Sequence, residues 1–227
     1  RMTDLMALVE EANPPKVGLV GTALTDWPDL LPFLRWLAAR KTKFSLSSLR
    51  ADGLSEELLG FLRQCGIRTI TLALEGASER LRKAANKRLD AEVFLEAVER
   101  CARMGVNHLR LYLILGWPWE GPEDYNELEE FLGRIVEARD AGHGPRTREF
   151  MRITLGASSL VPKPFTPMQW APMASEDSLL AAQKRLKDMT KNLRGVALQV
   201  DAPFQARLQG VLSRGGEEAF ELVRLAA

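Results

Sequence analysis

Residues 107–121, NHLRLYLILGWPWEG, constrain this chain more than any other stretch. Leu109, Leu111, Leu113 and Leu115 recur at every second position, the period of a strand with one buried face. Arg110, Tyr112 and Ile114 alternate with them, so the other face is partly polar and lines something. Gly116 lets backbone approach a neighbour closely, and Pro118 ends the ladder because it has no N–H to give. Gly121-Pro122-Glu123-Asp124 then starts a helix, with Pro122 near its first position and two acids in its positive first turn. Strand, glycine turn and helix make half of a βαβ unit, and such units hold ligands at the carboxyl ends of their strands.

The rest of the chain repeats the theme. Apolar residues recur at helical spacing over residues 1–12, and residues 17–21 read as a short strand. A helix opened by Pro28 or Asp29 comes next. Residues 44–49 alternate as a strand, Ser55 caps a helix, and Gly66 supplies the left-handed residue past its end. Residues 67–74 form a β-branched strand that closes on Glu75-Gly76. Ser78 caps a short helix and Asp90 a longer one closed by Gly105. After the organising strand and its helix comes a strand over residues 150–155 ending at Gly156. Ser175 then caps a helix stopped by Gly195, and residues 196–200 make a last short strand. Two small helices separated by Gly215-Gly216 form the tail. Strands alternating with helices across short connections specify an α/β fold around parallel strands, either an open doubly wound sheet or a full or partial barrel.

Composition excludes several function classes. With 227 residues, 46% hydrophobic and 27% charged, the chain supports one core, and its net charge of +1 gives no bulk argument for nucleic acid or a membrane surface. No apolar run reaches the roughly 18 residues of a spanning helix, and no signal-peptide pattern opens the chain. The two cysteines, Cys65 and Cys101, come after apolar residues at helical spacing and read as small core residues, which fits a reducing, cytoplasmic setting. His108 and His143 have no metal-ligand spacing around them. Phosphate-binding glycine loops, a G-x-S-x-G elbow and an H-E-x-x-H helix are all absent.

The carboxyl ends of the strands collect Thr22, Thr25 and Asp26, then Ser47, Ser48 and Arg50, then Glu75. Tyr112, Gly116 and Glu120 come next, then Ser158 and Ser159. Glu75 stands out, because an ionisable group closing an apolar strand is costly unless it is paired or holds a ligand. Its plain partners are Arg80 and Arg82; the plain role of Asp26 is to cap the next helix. Arg80, Arg82, Lys83, Lys87 and Arg88 form a basic cluster, mostly a solvated helix face, with Lys87 and Arg88 past the helix and within reach of an anion. The proline-rich residues 161–172 are either a stiff surface linker or, with Trp117 and Trp119, a wall of a pocket.

Taken together, LEGAS at residues 74–78, Asn86-Lys87 and ILGWPWE at residues 114–120 resemble strand motifs of the radical S-adenosylmethionine (SAM) superfamily. The last is similar to the G-[LF]-P-x-E turn of methylthiotransferase-like and coproporphyrinogen-dehydrogenase-like members. VGLVGT at residues 17–22 and SSLR at residues 47–50 resemble the second and third strands of that domain. Residues 161–170 resemble a segment of a subgroup often fused to a cobalamin-binding-like domain. The resemblance implies a partial (β/α) barrel of six TIM-like units, its first strand missing here, with core units over residues 1–160. A proline-rich connection over 161–174 and C-terminal helices over 175–227 complete the organisation. It further implies that SAM lies across the rim and is the source of a 5′-deoxyadenosyl radical. Position by position, the cofactor-binding residues it implies are Thr22, Thr25, Ser47, Arg50, Glu75, Lys87, Tyr112, Ile114 and Gly116. Thr22 would meet the methionine amino group, Glu75 the ribose hydroxyls or amino group, and Lys87 the carboxylate, with Tyr112 and Ile114 bordering ribose and adenine.

The family binds a 4Fe-4S cluster through three cysteines in a C-x₃-C-x₂-C loop, and such clusters require thiolates. This chain has no such loop, and its two cysteines lie 36 positions apart. The expectation is a fragment whose cluster ligands lie in a missing N-terminal part of the same protein. Substrate identity, cobalamin and any nucleic-acid partner stay open. Two other readings remain: a cluster-free barrel serving as a binding or scaffold module, and a phosphate- or sugar-binding barrel enzyme.

Overall fold

The computed structural model describes residues 1–21, 23–144 and 150–226. It opens with α1 (Met2–Ala12), β1 (Lys16–Leu19), α2 (Leu30–Ala39), β2 (Lys43–Leu46) and α3 (Glu56–Gln64). β3 (Thr69–Glu75) leads through α4 (Glu79–Ala84) and α5 (Ala91–Arg103) to β4 (His108–Leu115) and α6 (Pro122–Gly142). β5 (Arg152–Ser159), α7 (Glu176–Lys191), β6 (Val196–Val200), α8 (Pro203–Arg214) and α9 (Glu218–Ala226) complete the order.

The helix starts are set by side-chain caps. Ser55 accepts from Leu58 N–H, Ser78 from Leu81, Asp90 from Glu92 and Val93, and Ser175 from Ser178, each satisfying donors that a helix leaves open. Gly66, Gly105 and Gly195 take the left-handed conformation past helix ends, as their positions in the sequence imply.

β1 and β2 pair in parallel, with Lys16 opposite Lys43 and Leu19 opposite Leu46. A parallel bridge between Leu49 and Leu72 links this pair to β3, and the remaining strands run in the order β3-β4-β5-β6. Hydrogen bonds fix the register. Arg152 N–H donates to Asn107 O at one end of β4–β5 and Leu160 N–H to Leu115 O at the other, so the pair runs parallel without a bulge. His108 N–H donates to Arg68 O, which sets His108 opposite Thr69.

Burial alternates along β3, β4 and β5: Ile70, Leu72 and Leu74, then Leu109, Leu111, Leu113 and Leu115, then Ile153, Leu155 and Ala157 are buried. The residues between them stay partly or fully open. Each buried leucine is worth about 1.5–3 kcal/mol, so this alternation fixes which face holds the helices.

The chain forms two compact units. The first comprises Arg1–Ala73, Leu89–Leu111 and Arg134–Ile153; the second Leu74–Arg88, Tyr112–Gly133 and Thr154–Ala227. β3, β4 and β5 each begin in the first and end in the second. In the first, Phe33, Leu34 and Leu37 of α2, Leu59 and Leu62 of α3, and Phe94, Val98 and Cys101 of α5 make the core. In the second it is Leu81, Leu128, Leu132, Leu155, Leu179 and Leu186.

Several expectations need correction. β2 stops at Leu46, and Leu49 makes only a single bridge. β5 continues through Gly156 to Ser159, because Gly156 keeps extended backbone and the ladder to β4 persists to Leu160. Cys65 is exposed rather than core: it is the residue that caps α3, where the apolar stripe has already turned away.

Candidate functional site

In the second unit, β3 closes on Glu75 with φ at 67°, left-handed backbone that costs a non-glycine residue roughly 1–3 kcal/mol. The return of α4 forces this turn. A Cβ on Gly76 would stand 2.7 Å from the backbone N of Arg82, so only glycine lets α4 fold back so tightly. Glu75 Oε1 lies 3.6 Å from Lys87 Nζ, both side chains partly buried. The plainer partners expected from sequence are engaged elsewhere: Arg80 bonds Asp124 at 2.6 Å and Arg82 bonds Glu127 at 3.2 Å.

Continuing the strand register places Glu75, Ile114 and Ser158 in one row across the open face, with Tyr112 and Gly156 in the row before it. Ser158 Oγ donates to Asp201 Oδ2 at 2.7 Å, bringing a carboxylate just past β6 onto the same rim. Asp201 was not legible as a site residue, because it precedes Pro203 and reads as a helix-start residue.

Gly116 is a turning residue rather than a free donor. Its φ is 79°, a Cβ there would lie 2.9 Å from Ala174 Cβ, and its N–H donates to Glu120 Oε2 at 2.6 Å. Glu120 Oε1 and the Tyr125 hydroxyl are buried, and neither meets the geometry of a hydrogen bond among the described residues. Burial pushes the Glu120 carboxyl above the usual range, and burial together with the Glu120 charge pushes the Tyr125 phenol up. Trp117, Pro118, Tyr125 and Pro172 line one hollow of about 600 Å³ beside this turn, so the proline-rich segment does contribute a wall. Trp170 and Phe165 of that segment are exposed.

Asp124, only 3% exposed, ties the two strand-to-helix turns together. It accepts from the Ser78 hydroxyl, from Gly121 N–H at 2.7 Å and from Arg80. Burial opposes its charge, but these donors together hold its carboxyl below the ordinary carboxylate range. Arg82 corrects the reading of the basic cluster as a solvated face. It is buried, bonds the carbonyls of Gly76 and Ala77, and lies over the Phe131 ring at 5.2 Å.

In the first unit, Thr22 lies outside the described residues. Ser47 Oγ accepts from Gly21 N–H at 3.4 Å and donates to Gly21 O at 3.3 Å, tying the end of β2 to the loop after β1. Arg50 bonds Asp52, Nε to Oδ1 at 3.0 Å, and stands 3.5 Å from Asp26. The Asp52 partner holds Arg50 above its ordinary value, and Arg50 in turn holds Asp52 below. Asp26 therefore faces Arg50 from a 3₁₀ turn, Leu24–Asp26, instead of capping α2, whose N-cap is Asp29. Thr25 packs so closely on the next loop that a Cβ on Gly53 would stand 2.3 Å from Thr25 Cβ, and Thr25 Oγ1 is buried with no hydrogen bond among the described residues.

The parallel strands with helical crossovers and polar groups at their carboxyl ends define an α/β chain of the partial (β/α)-barrel class. The model of the radical SAM superfamily matches residues 3–132, more than half of the chain, and the chain belongs to that superfamily. An uncharacterised protein of Methanocaldococcus jannaschii is 27% identical over 223 residues, spanning 96% of this chain and 46% of that protein. The structure of coproporphyrinogen III oxidase (HemN) from Escherichia coli, a radical SAM enzyme, superimposes with a TM-score of 0.56 at 16% identity. The match covers 78% of this chain and 40% of that one. The chain thus spans less than half the length of either.

The residues present do not fit the family's iron–sulfur cluster. Cys101 is fully buried inside α5, its thiol pushed up to about 12 by burial, and Cys65 stands alone at the end of α3. Among the described residues no group of three or more His, Cys, Asp or Glu could hold a metal ion. Nor is any described helix long and apolar enough to cross a membrane.

Proposed function

We propose that this chain is the SAM-binding part of a radical SAM enzyme and that the cluster thiolates come from outside these 227 residues. The strained, ion-paired Glu75 carries the reading. A strand end that keeps a carboxylate in left-handed backbone beside a lysine spends stability on geometry, which points to a ligand. A methionine tail is a zwitterion, and an opposed Glu75–Lys87 pair offers one partner to each end. In this proposal Lys87 takes the carboxylate, Glu75 the amino group or ribose hydroxyls, and Tyr112 and Ile114 border ribose and adenine. Gly116 shapes the turn beside them. When bound, SAM supplies the 5′-deoxyadenosyl group of the family's radical chemistry. The proposed site lies within the second unit; Thr25, Ser47 and Arg50 shape loops of the first. Cobalamin is not part of the proposal.

Calorimetric titration of S-adenosylhomocysteine tests it. Glu75→Gln and Lys87→Met should each weaken binding about ten-fold, or about 1.4 kcal/mol. Glu75→Gly, which relieves the left-handed backbone, should keep stability within about 1 kcal/mol while losing the affinity. Equal binding by all variants, or none by the wild-type chain, overturns the proposal. The cysteine count favours a second reading, a cluster-free module that binds or scaffolds without radical chemistry. A polypeptide carrying three cysteines at the family spacing ahead of this chain, and assembling a four-iron cluster on anaerobic reconstitution, would exclude it.

A further inference from the structure

Parallel sheets are ordinarily covered on both faces. Within the first unit, the face of the strands turned away from the helices instead carries Lys16, Lys43, Thr69, Thr71, His108, Arg110 and Arg152, with no carboxylate among its strand residues. Lys16 and Lys43 stand directly opposite one another in the β1–β2 ladder. Phe44 points the other way and stacks on Phe61 of α3. Arg152 is in register with His108, which puts it on the diagonal from Arg110. Diagonal neighbours sit about 7–8 Å apart, close enough for two guanidinium groups to share one small anion. Lys16, Lys43, Arg110 and Arg152 have no ion pair among the described residues, although the chain makes such pairs freely elsewhere.

We propose that this open face of the first unit binds an anionic group, a phosphate ester or a carboxylate carried by the substrate, between Arg110 and Arg152. Like charges facing one another across a ladder are destabilising, and an anion of two or more oxygens offsets that repulsion while accepting bonds from both guanidinium groups. The hydroxyls of Thr69 and Thr71 stand in the neighbouring strand, in register with His108 and Arg110. His108 reports the local field: burial and the charges of Arg110 and Arg152 all hold it below its ordinary value. The assignment rests on the radical SAM reading only in taking the anion to belong to a substrate.

The test tracks the two histidines by proton NMR as a function of pH, with inorganic phosphate, citrate, or sodium chloride at matched ionic strength. Phosphate or citrate should raise the pKa of His108 by about half a unit, a three-fold gain in proton affinity, and leave His143 in place. In Arg110→Gln/Arg152→Gln the His108 value should start higher and stop responding, whereas Arg110→Lys/Arg152→Lys should keep the response. A response to phosphate alone assigns a phosphate ester; a response to both, or to citrate alone, assigns a carboxylate as an accepted group. No response, an equal response to chloride, or an undiminished response in the glutamine variant overturns the site. Binding of S-adenosylhomocysteine, measured on the same proteins, is expected to be unchanged by the glutamine variant. If the wild-type chain fails to bind that ligand yet His108 still responds, the cofactor reading falls and the anion site stands.

Discussion

Two carboxyls four residues apart, Asp124 buried and Glu120 half-buried, behave in opposite ways, and the difference is set by their donors. Asp124 accepts bonds from Ser78, Gly121 and Arg80 and is held below the ordinary range. Its stabilisation is complete above its unfolded value of about 3.9 and is lost as pH falls through the lower folded value. Asp124→Asn should cost about 2 kcal/mol in urea unfolding at neutral pH, and the loss should shrink in acid. Glu120 accepts from Gly116 N–H, and burial outweighs that bond and raises its carboxyl. The folded state keeps that proton longer than the unfolded state, so its contribution worsens as pH rises from about 4.3. Glu120→Gln keeps an acceptor for Gly116 and removes the charge; the variant should lie within about 1 kcal/mol of wild type at neutral pH and lose that slope.

At the scale of elements, the turn after β4 is the most constrained part of the second unit. Gly116→Ala meets Ala174 and Leu179 Cδ2 at 2.9 and 3.0 Å in left-handed backbone, so it should lower stability by about 2 kcal/mol or more, read as an unfolding midpoint. Gly156, by contrast, was expected to end its strand and does not. A glycine in sequence marks permission for a turn, not the turn itself; Gly116 takes left-handed backbone with no room for a Cβ beside Ala174 and Leu179, whereas Gly156 stays in the ladder that β5 makes with β4. The helix caps were legible because each depends on a side chain reaching backbone two or three residues away. The Asp124 node was not, because two of its partners, Ser78 and Arg80, come from a turn 46 and 44 positions earlier. Glu75 was legible as a costly charge; its left-handed backbone and its choice of Lys87 over two nearer arginines depended on contacts those arginines make with α6.

Taken whole, the chain is nearly neutral at +1, yet its charges are sorted. Charge totals carried no signal of the positive strand face, since only the sheet register brings residues from β1, β2, β4 and β5 to one side. If an anion settles there, it stabilises the folded chain by mass action. At ten times its dissociation constant, phosphate should add about 1.4 kcal/mol and raise the melting midpoint by about 3–5 °C, beyond chloride at equal ionic strength. Scanning calorimetry measures that difference directly.

The inward guanidinium of Arg82 has a practical consequence for anyone mapping this protein by mutation. Charge-removal screens over residues 80–88 will register Arg82 as the most damaging position. The damage will come from a crossover that has lost its internal fastener to the Gly76 and Ala77 carbonyls, so yield and solubility fall before any ligand is tested. Lys87 is the neighbour whose loss should leave a folded protein, and a survey that ranks the two by activity alone would credit the wrong cation.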